Sequence, residues 1–295
     1  MIKTVLSVRP IALPAADRGT DLEVRVTAPL TGTDLPVIVF SHGAMQSMDA
    51  YAPLVDAWTA HGFAVIQPTH LDSASLNVTP DDPRYADIWR FRVEDMSRIL
   101  DNLDLIENAV PGLAGRLSHE QIIAAGHSWG AQTASMLLGA RVLDSDGVPE
   151  NDRTDLRFKA GLLFALPGTG FGDLTPFAAQ NFSFMNPGFT TMTAPALIVT
   201  GDKDQSLLSV RGPEWFTDGY HQSPGPKTLL TLHGGEHTLG GIHAYRSTDT
   251  TDESPDRVAL IQEVTLAYLH SVLTEAALDH RAVDVPTELG HLESK

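Results

Sequence analysis

The chain contains no cysteine. That excludes a disulfide scaffold, a cysteine nucleophile, and zinc or iron–sulfur centres held by thiolates. Basic residues are also scarce: 20 Lys and Arg face 37 Asp and Glu, for a net charge of −17. Such a field repels a phosphate backbone and an anionic bilayer alike, so nucleic-acid and acidic-lipid binding are poor readings. No apolar run approaches the ~18 residues a membrane span needs. Near the N-terminus, Arg9 and Pro10 interrupt anything longer than Val5-Leu6, so no signal peptide is expected. The expected compartment is the cytoplasm, with secretion of a processed form as the alternative.

The 295 residues are 42% hydrophobic and 19% charged, as in an ordinary globular protein. Short apolar runs recur at 37–40, 63–66, 122–125, 161–166, 196–199 and 229–232, each closed by Gly, Pro, Ser, Thr or His. Unbroken runs of that length read as strands buried on both faces of a parallel sheet. Helical patterns lie between them. Leu54, Val55 and Trp58 share a face, with Asp49 available as a cap. Trp89, Val93, Met96, Leu100 and Leu103 repeat at i+3/i+4 spacing, and Pro111-Gly112 ends the pattern. Val258, Ile261, Thr265, Tyr268, Leu269 and Val272 repeat behind Ser254-Pro255. Leu22, Val24 and Val26 alternate with Glu23 and Arg25, which places 4–8 and 22–28 as an antiparallel edge. The fold class expected is α/β: a mostly parallel, twisted, eight-stranded sheet with helices on both faces and an antiparallel N-terminal edge. One domain over 1–280 is expected, with a lid-like or pocket-forming insertion at about 167–195. The tail, 281–295, is polar and aperiodic and is expected to fray.

The chemistry concentrates in Gly126-His127-Ser128-Trp129-Gly130, between the 122–125 strand and a helix of small and apolar residues. A serine on so sharp a turn is lifted clear of the sheet, and the flanking glycines admit the crowding chains. The following helix N-terminus aims N–H groups at developing negative charge. A hydroxyl nucleophile needs a base, and the base needs an orienting acid, in the order Ser, acid, His on this architecture. The 196–199 strand runs into Thr200-Gly201-Asp202-Lys203-Asp204, and the 229–232 strand into His233-Gly234-Gly235-Glu236-His237. Asp204 is favoured over Asp202 because it has room to swing back toward the serine. His237, beyond two glycines, is favoured over His233, which sits where its strand ends. An oxyanion hole is expected at the N–H groups of Ala44, in Ser41-His42-Gly43-Ala44-Met45, and of Trp129. Gly43 would let the backbone turn the Ala44 N–H inward.

These four motifs resemble the α/β-hydrolase superfamily in kind and order, over about residues 20–275. Within it the chain is most similar to serine esterases of the dienelactone-hydrolase-like, chlorophyllase-like and platelet-activating-factor-acetylhydrolase-like branch. Residues 40–43, the stretch Ala60-His-Gly-Phe-Ala-Val65 and Gly-Gly-Glu-His237 carry that finer likeness. True dienelactone hydrolases carry a Cys nucleophile where Ser128 stands here, which argues against dienelactone as substrate. The resemblance implies a cofactor-free hydrolase acting on carboxylic esters through Ser128, His237 and Asp204. The charge favours neutral or zwitterionic small-molecule esters, with polyesters within reach of the same chemistry. The alternatives on the same scaffold are a lyase, perhydrolase or cofactor-free oxygenase, and a catalytically silent ligand-binding relative.

Phe171, Phe177, Phe182, Phe184 and Phe189 crowd the aperiodic segment, either as an apolar wall for an acyl or aryl group or as satellite core. Phe171 and Phe177, with Met45 beside the oxyanion loop, are the expected substrate contacts. His233 and His237 do not form a two-histidine metal helix, because two glycines between them deny the helix. Asp72, Asp81 and Asp82 read as a solvated acidic loop rather than a calcium site.

Overall fold

Strands buried on both faces need a helix layer on each side, and that requirement organises the whole chain. The computed structural model describes residues 3–79, 81–246, 250–274 and 283–295. The strands are β1 (Val5–Leu13), β2 (Leu22–Pro29), β3 (Leu35–Ser41), β4 (Ala64–Pro68), β5 (Leu117–His127), β6 (Arg141–Val142), β7 (Phe158–Phe164), β8 (Pro187–Gly188), β9 (Ala196–Gly201), β10 (Lys227–Leu232) and β11 (Gly290–Ser294). The helices are α1 (Ala52–Ala60), α2 (Ile88–Asp101), α3 (Leu103–Ala109), α4 (Trp129–Leu137), α5 (Pro176–Asn181), α6 (Asp218–Gln222) and α7 (Pro255–Leu273).

Nine strands form one sheet in the order β1-β2-β4-β3-β5-β7-β9-β10-β11. The six from β4 to β10 run parallel, while β1, β2 and β11 are antiparallel to their neighbours. The eight expected strands are present, and the ninth comes from the tail expected to fray. Gly290–Ser294 instead pairs with β10 from Thr228 to Leu232, and Lys227 and Lys295 exchange backbone hydrogen bonds. A polar, two-faced edge strand carries little apolar alternation, so periodicity passed over it. Residues 281 and 282 of that tail lie outside the described residues.

The strand order reverses beside β3, whose neighbours β4 and β5 follow it in sequence on opposite sides. Open α/β sheets have their crevice at such a switch point, beyond the carboxyl ends of the strands. The loops after β3 and β5 therefore meet there. Alternation along β3 shows why the sheet holds two helix layers. Val37 and Val39 join the core under α2, α3 and α4, whereas Ile38 and Phe40 join the core under α1 and α7. The Trp58 indole N–H donates to Thr265 Oγ1 at 3.0 Å and ties α1 to α7.

Two local expectations change. The long 89–103 pattern breaks at Asn102, whose side-chain amide bonds the Arg98 carbonyl at 2.8 Å, and α3 starts at Leu103. Asp49 does not cap α1: Tyr51 holds that position at φ 70°, while Asp49 pairs with Arg9 and Arg25. Ser254 caps α7 as its sequence suggests, accepting from Arg257 N–H. The 167–195 segment contains α5 and β8, which pairs with β6 in a small ribbon beside the main sheet. No helix among the described residues is long and apolar enough to cross a membrane.

Candidate active site

The turn from β5 into α4 places Ser128 at φ 56° and ψ −122°, a conformation costly for a residue with a Cβ. Its N–H donates to the Phe164 carbonyl on β7 at 2.8 Å, which holds the turn against the neighbouring strand. The flanking glycines are sterically required. A Cβ on Gly126 would lie 2.2 Å from the Gly130 carbonyl oxygen, and one on Gly130 would lie 2.0 Å from that of Ser41.

His237 Nε2 lies 3.0 Å from Ser128 Oγ, and its Nδ1 lies 2.9 and 3.1 Å from the two oxygens of Asp204. A carboxylate only accepts, so Nδ1–H donates and Nε2 is left to accept the serine proton. Asp204 is fully buried, whereas His237 is partly open to solvent. Asp202 takes another place: its Oδ1 accepts the Gly234 N–H at 2.7 Å, pinning the loop that carries His237. Gly201 and Gly235 allow that pinning. A Cβ on Gly201 would fall 2.0 Å from the Gly235 carbonyl oxygen, which accepts the Lys203 N–H at 2.9 Å. His233 stays away from this cluster, its N–H donating to the Leu289 carbonyl and its ring facing His291 at 6.3 Å.

The loop after β3 has nearly every polar group engaged. The Gly43 N–H donates to Tyr51 Oη at 2.9 Å, and the Met45 N–H to Asp72 Oδ2 at 3.1 Å. The His42 carbonyl accepts from Arg92, and the Gly43 carbonyl from His42 Nδ1–H at 2.7 Å. Between them the Ala44 N–H has no hydrogen-bond partner among the described residues. The same is true of the Trp129 N–H, the first of α4 and so without an intrahelical acceptor. Gly43 also leaves space for a neighbouring hydroxyl. It does not take a positive φ, but a Cβ there would lie 2.9 Å from Tyr51 Oη; the left-handed turn falls at Met45, φ 65°.

Arg92 contacts both segments that carry these amides. Its guanidinium pairs with Asp72, bonds Ser41 Oγ and Thr133 Oγ1, and sits 4.8 Å from the centre of the Trp129 ring. Asp72 is thus a buried partner and not part of a solvated loop. Burial alone would raise its carboxyl, but Arg92 holds it below the usual range. Behind it, His70 bridges Ser41 Oγ and Asp95, and Asp95 also pairs with Arg18. Burial and the Arg92 charge push His42 down to about 4 and His70 well below its ordinary value, so both rings stay neutral. Asp82, by contrast, pairs with Arg84 at the surface.

The phenylalanines divide between the two readings. Phe189 is core. Phe184 stacks on Trp129 at 5.0 Å, Phe182 meets Phe184 edge-on, and Phe177 meets Phe182. This ladder leads from the residue after Ser128 to Phe177, which is 61% exposed. Phe184 and Phe171 also line a cavity of about 730 Å³ with Trp89, Leu143 and Leu174. Met45 is 67% exposed and does not line this cavity.

Sequence reasoning missed Tyr51, Arg92 and Asp252 and placed Asp72 wrongly. Arg92 did carry a signal, a charge on the buried face between Trp89, Val93 and Met96. Asp252 carried none. It accepts the N–H groups of Glu236 and Gly240 and the Thr238 hydroxyl, bracketing His237.

With this geometry in view, the comparisons add one finding: the chlorophyllase family model matches residues 6–145. The sheet and its antiparallel N-terminal edge are consistent with the α/β-hydrolase superfamily, to which the matched family belongs. Over residues 6–145 the chain is similar to the chlorophyllase family of the α/β-hydrolase superfamily. The match covers the loop after β3 and the turn at Ser128 and ends before Asp204 and His237. It supports an α/β-hydrolase acting on esters in general. No curated protein matches the chain.

Proposed function

We propose that this protein is an α/β-hydrolase-type serine esterase that cleaves neutral or zwitterionic carboxylic esters through an acyl-enzyme on Ser128. The observation that carries the reading is the unbroken line from Ser128 Oγ through His237 to Asp204, drawn from three separate loops. Ser128 Oγ attacks the ester carbonyl while His237 Nε2 takes its proton. Asp204 holds the Nδ1–H tautomer and stabilises the imidazolium. The carbonyl oxygen, now an anion, accepts from the N–H groups of Ala44 and Trp129, each of which removes about 3–4 kcal/mol from the barrier. On collapse the C–O bond to the alcohol breaks, and His237 returns its proton to that oxygen. Water then attacks the acyl-enzyme by the same route, releasing the acid and restoring Ser128.

The aromatic ladder and the 730 Å³ cavity support an apolar substituent on the ester; Phe171, which lines that cavity, and the exposed Phe177 and Met45, which do not, are its proposed contacts. The net charge of −17 supports uncharged over polyanionic substrates. A panel of p-nitrophenyl esters graded by acyl length tests both statements. Hydrolysis that rises with apolar acyl length and falls by several orders of magnitude in Ser128→Ala is expected. Equal rates in Ser128→Ala would refute the nucleophile.

A further inference from the structure

His127 precedes Ser128 in the nucleophile turn, and the mechanism above gives it no task. It is buried, and both ring nitrogens are bonded. Nε2 lies 2.8 Å from the His237 carbonyl oxygen, which can only accept, so Nε2–H donates. Nδ1 of the neutral ring must then accept, and its partner at 3.0 Å is the Tyr51 hydroxyl. Tyr51 Oη in turn accepts the Gly43 N–H at 2.9 Å. Every direction is forced. The chain runs Gly43 N–H to Tyr51 O–H to His127, and His127 N–H to the His237 backbone.

These bonds join three loops: the one presenting Ala44 N–H, the one presenting Ser128, and the one presenting His237. Tyr51 is also tied to the last by its backbone, its N–H donating to the His243 carbonyl at 2.7 Å. Its ring packs on Phe40, with centroids 4.6 Å apart. Gly43 makes room for the link, since a Cβ there would lie 2.9 Å from Tyr51 Oη and 3.3 Å from His127 Nδ1. Resting on the proposed esterase reading, we infer that Tyr51 and His127 are positioning residues, one hydrogen-bond chain that sets the oxyanion amide and the base against the nucleophile.

A neutral His127 suits that task. Its ring centre lies 5.0 Å from that of His237, where a second positive charge would oppose the imidazolium formed during reaction. Burial, and next the His237 charge, lower His127 to about 3, so the ring remains neutral across the working range. A displacement of a few tenths of an ångström in either donor or base is felt in the transition state more than in substrate binding.

The test is a double-mutant cycle of Tyr51→Phe and His127→Gln, read as kcat and KM on one short p-nitrophenyl ester, with thermal midpoints alongside. Tyr51→Phe keeps the buried ring and removes one oxygen. Each single variant should lose about ten- to a hundredfold in kcat with KM changed less than twofold, and the double variant should lose no more than the worse single. Either folded single variant suffices for the split between kcat and KM. Unchanged kcat in folded Tyr51→Phe, a loss confined to KM, or losses that multiply in the double variant would overturn the inference while leaving the triad intact. Wild-type protein that turns over no ester would remove the esterase reading and this inference with it.

Discussion

Two aspartates end β9, and replacing each by asparagine separates their parts. Asp204 contributes both oxygens to His237 Nδ1, from a fully buried position. An amide nitrogen turned toward Nδ1 would force the imidazole into its other tautomer, with the proton on Nε2, where it cannot receive the Ser128 hydrogen. In a triad of this geometry that loss is about 10⁴ in kcat, or ~5 kcal/mol. Asp202 contributes one acceptor to the Gly234 N–H. The Asp202→Asn variant keeps an acceptor there, so the loop stays pinned and less than tenfold should be lost, ~1.4 kcal/mol or under. Asp202→Ala leaves the Gly234 N–H without its partner and should cost about 1–3 kcal/mol of stability. Initial rates on a p-nitrophenyl ester, with circular dichroism to show that each variant is folded, decide the matter. A larger rate loss in Asp202→Asn than in Asp204→Asn would refute the reasoning and exchange the two roles.

Gly130→Ala would set its Cβ 2.0 Å from the Ser41 carbonyl oxygen, so the variant should fail to accumulate as soluble protein; a normal thermal midpoint would contradict the packing at the turn. Ending the chain at residue 288 removes β11 and its backbone bonds to β10, each worth about 1 kcal/mol, so the urea midpoint should drop markedly; an unchanged midpoint would deny the ninth strand. Burial holds His127 at about 3 in the folded state, whereas an unfolded histidine titrates near ~6.5. Below ~6.5 the unfolded chain therefore takes up a proton that the folded one refuses, and stability falls with pH down to the folded value, by about 1.4 kcal/mol per pH unit. Buried His42 adds to this slope, and Asp95, raised by burial to about 7, opposes it. His127→Gln should reduce the slope of urea-unfolding stability between pH 4.5 and 6 by that single-histidine amount, and an unaltered slope would contradict a buried neutral ring.

How much of this was legible in the sequence follows from how local each signal is. The parallel strands announce themselves because burial on both faces demands consecutive apolar residues. Gly126 and Gly130 do so because only glycine fits where backbone meets backbone at about 2 Å from a would-be Cβ. The acid and base loops could be placed from their position after strands, and the structure brings His237, not His233, within hydrogen-bond reach of Ser128, and Asp204, not Asp202, within reach of His237. What stayed hidden is long-range polar pairing. Arg92 reaches Asp72 and the His42 carbonyl across the loop after β3, and Asp252 returns from beyond His237 to bracket it. No short window of sequence contains both members of such a pair. At Gly43 the hidden part is again long-range: the space it leaves is filled by the Tyr51 hydroxyl.

The central claim is tested most directly by where a fluorophosphonate attaches. Peptide mass mapping of labelled protein should find a single adduct on the peptide holding Ser128, absent in Ser128→Ala and formed far more slowly in His237→Gln. An adduct on another residue, or undiminished labelling of folded Ser128→Ala, would contradict the account.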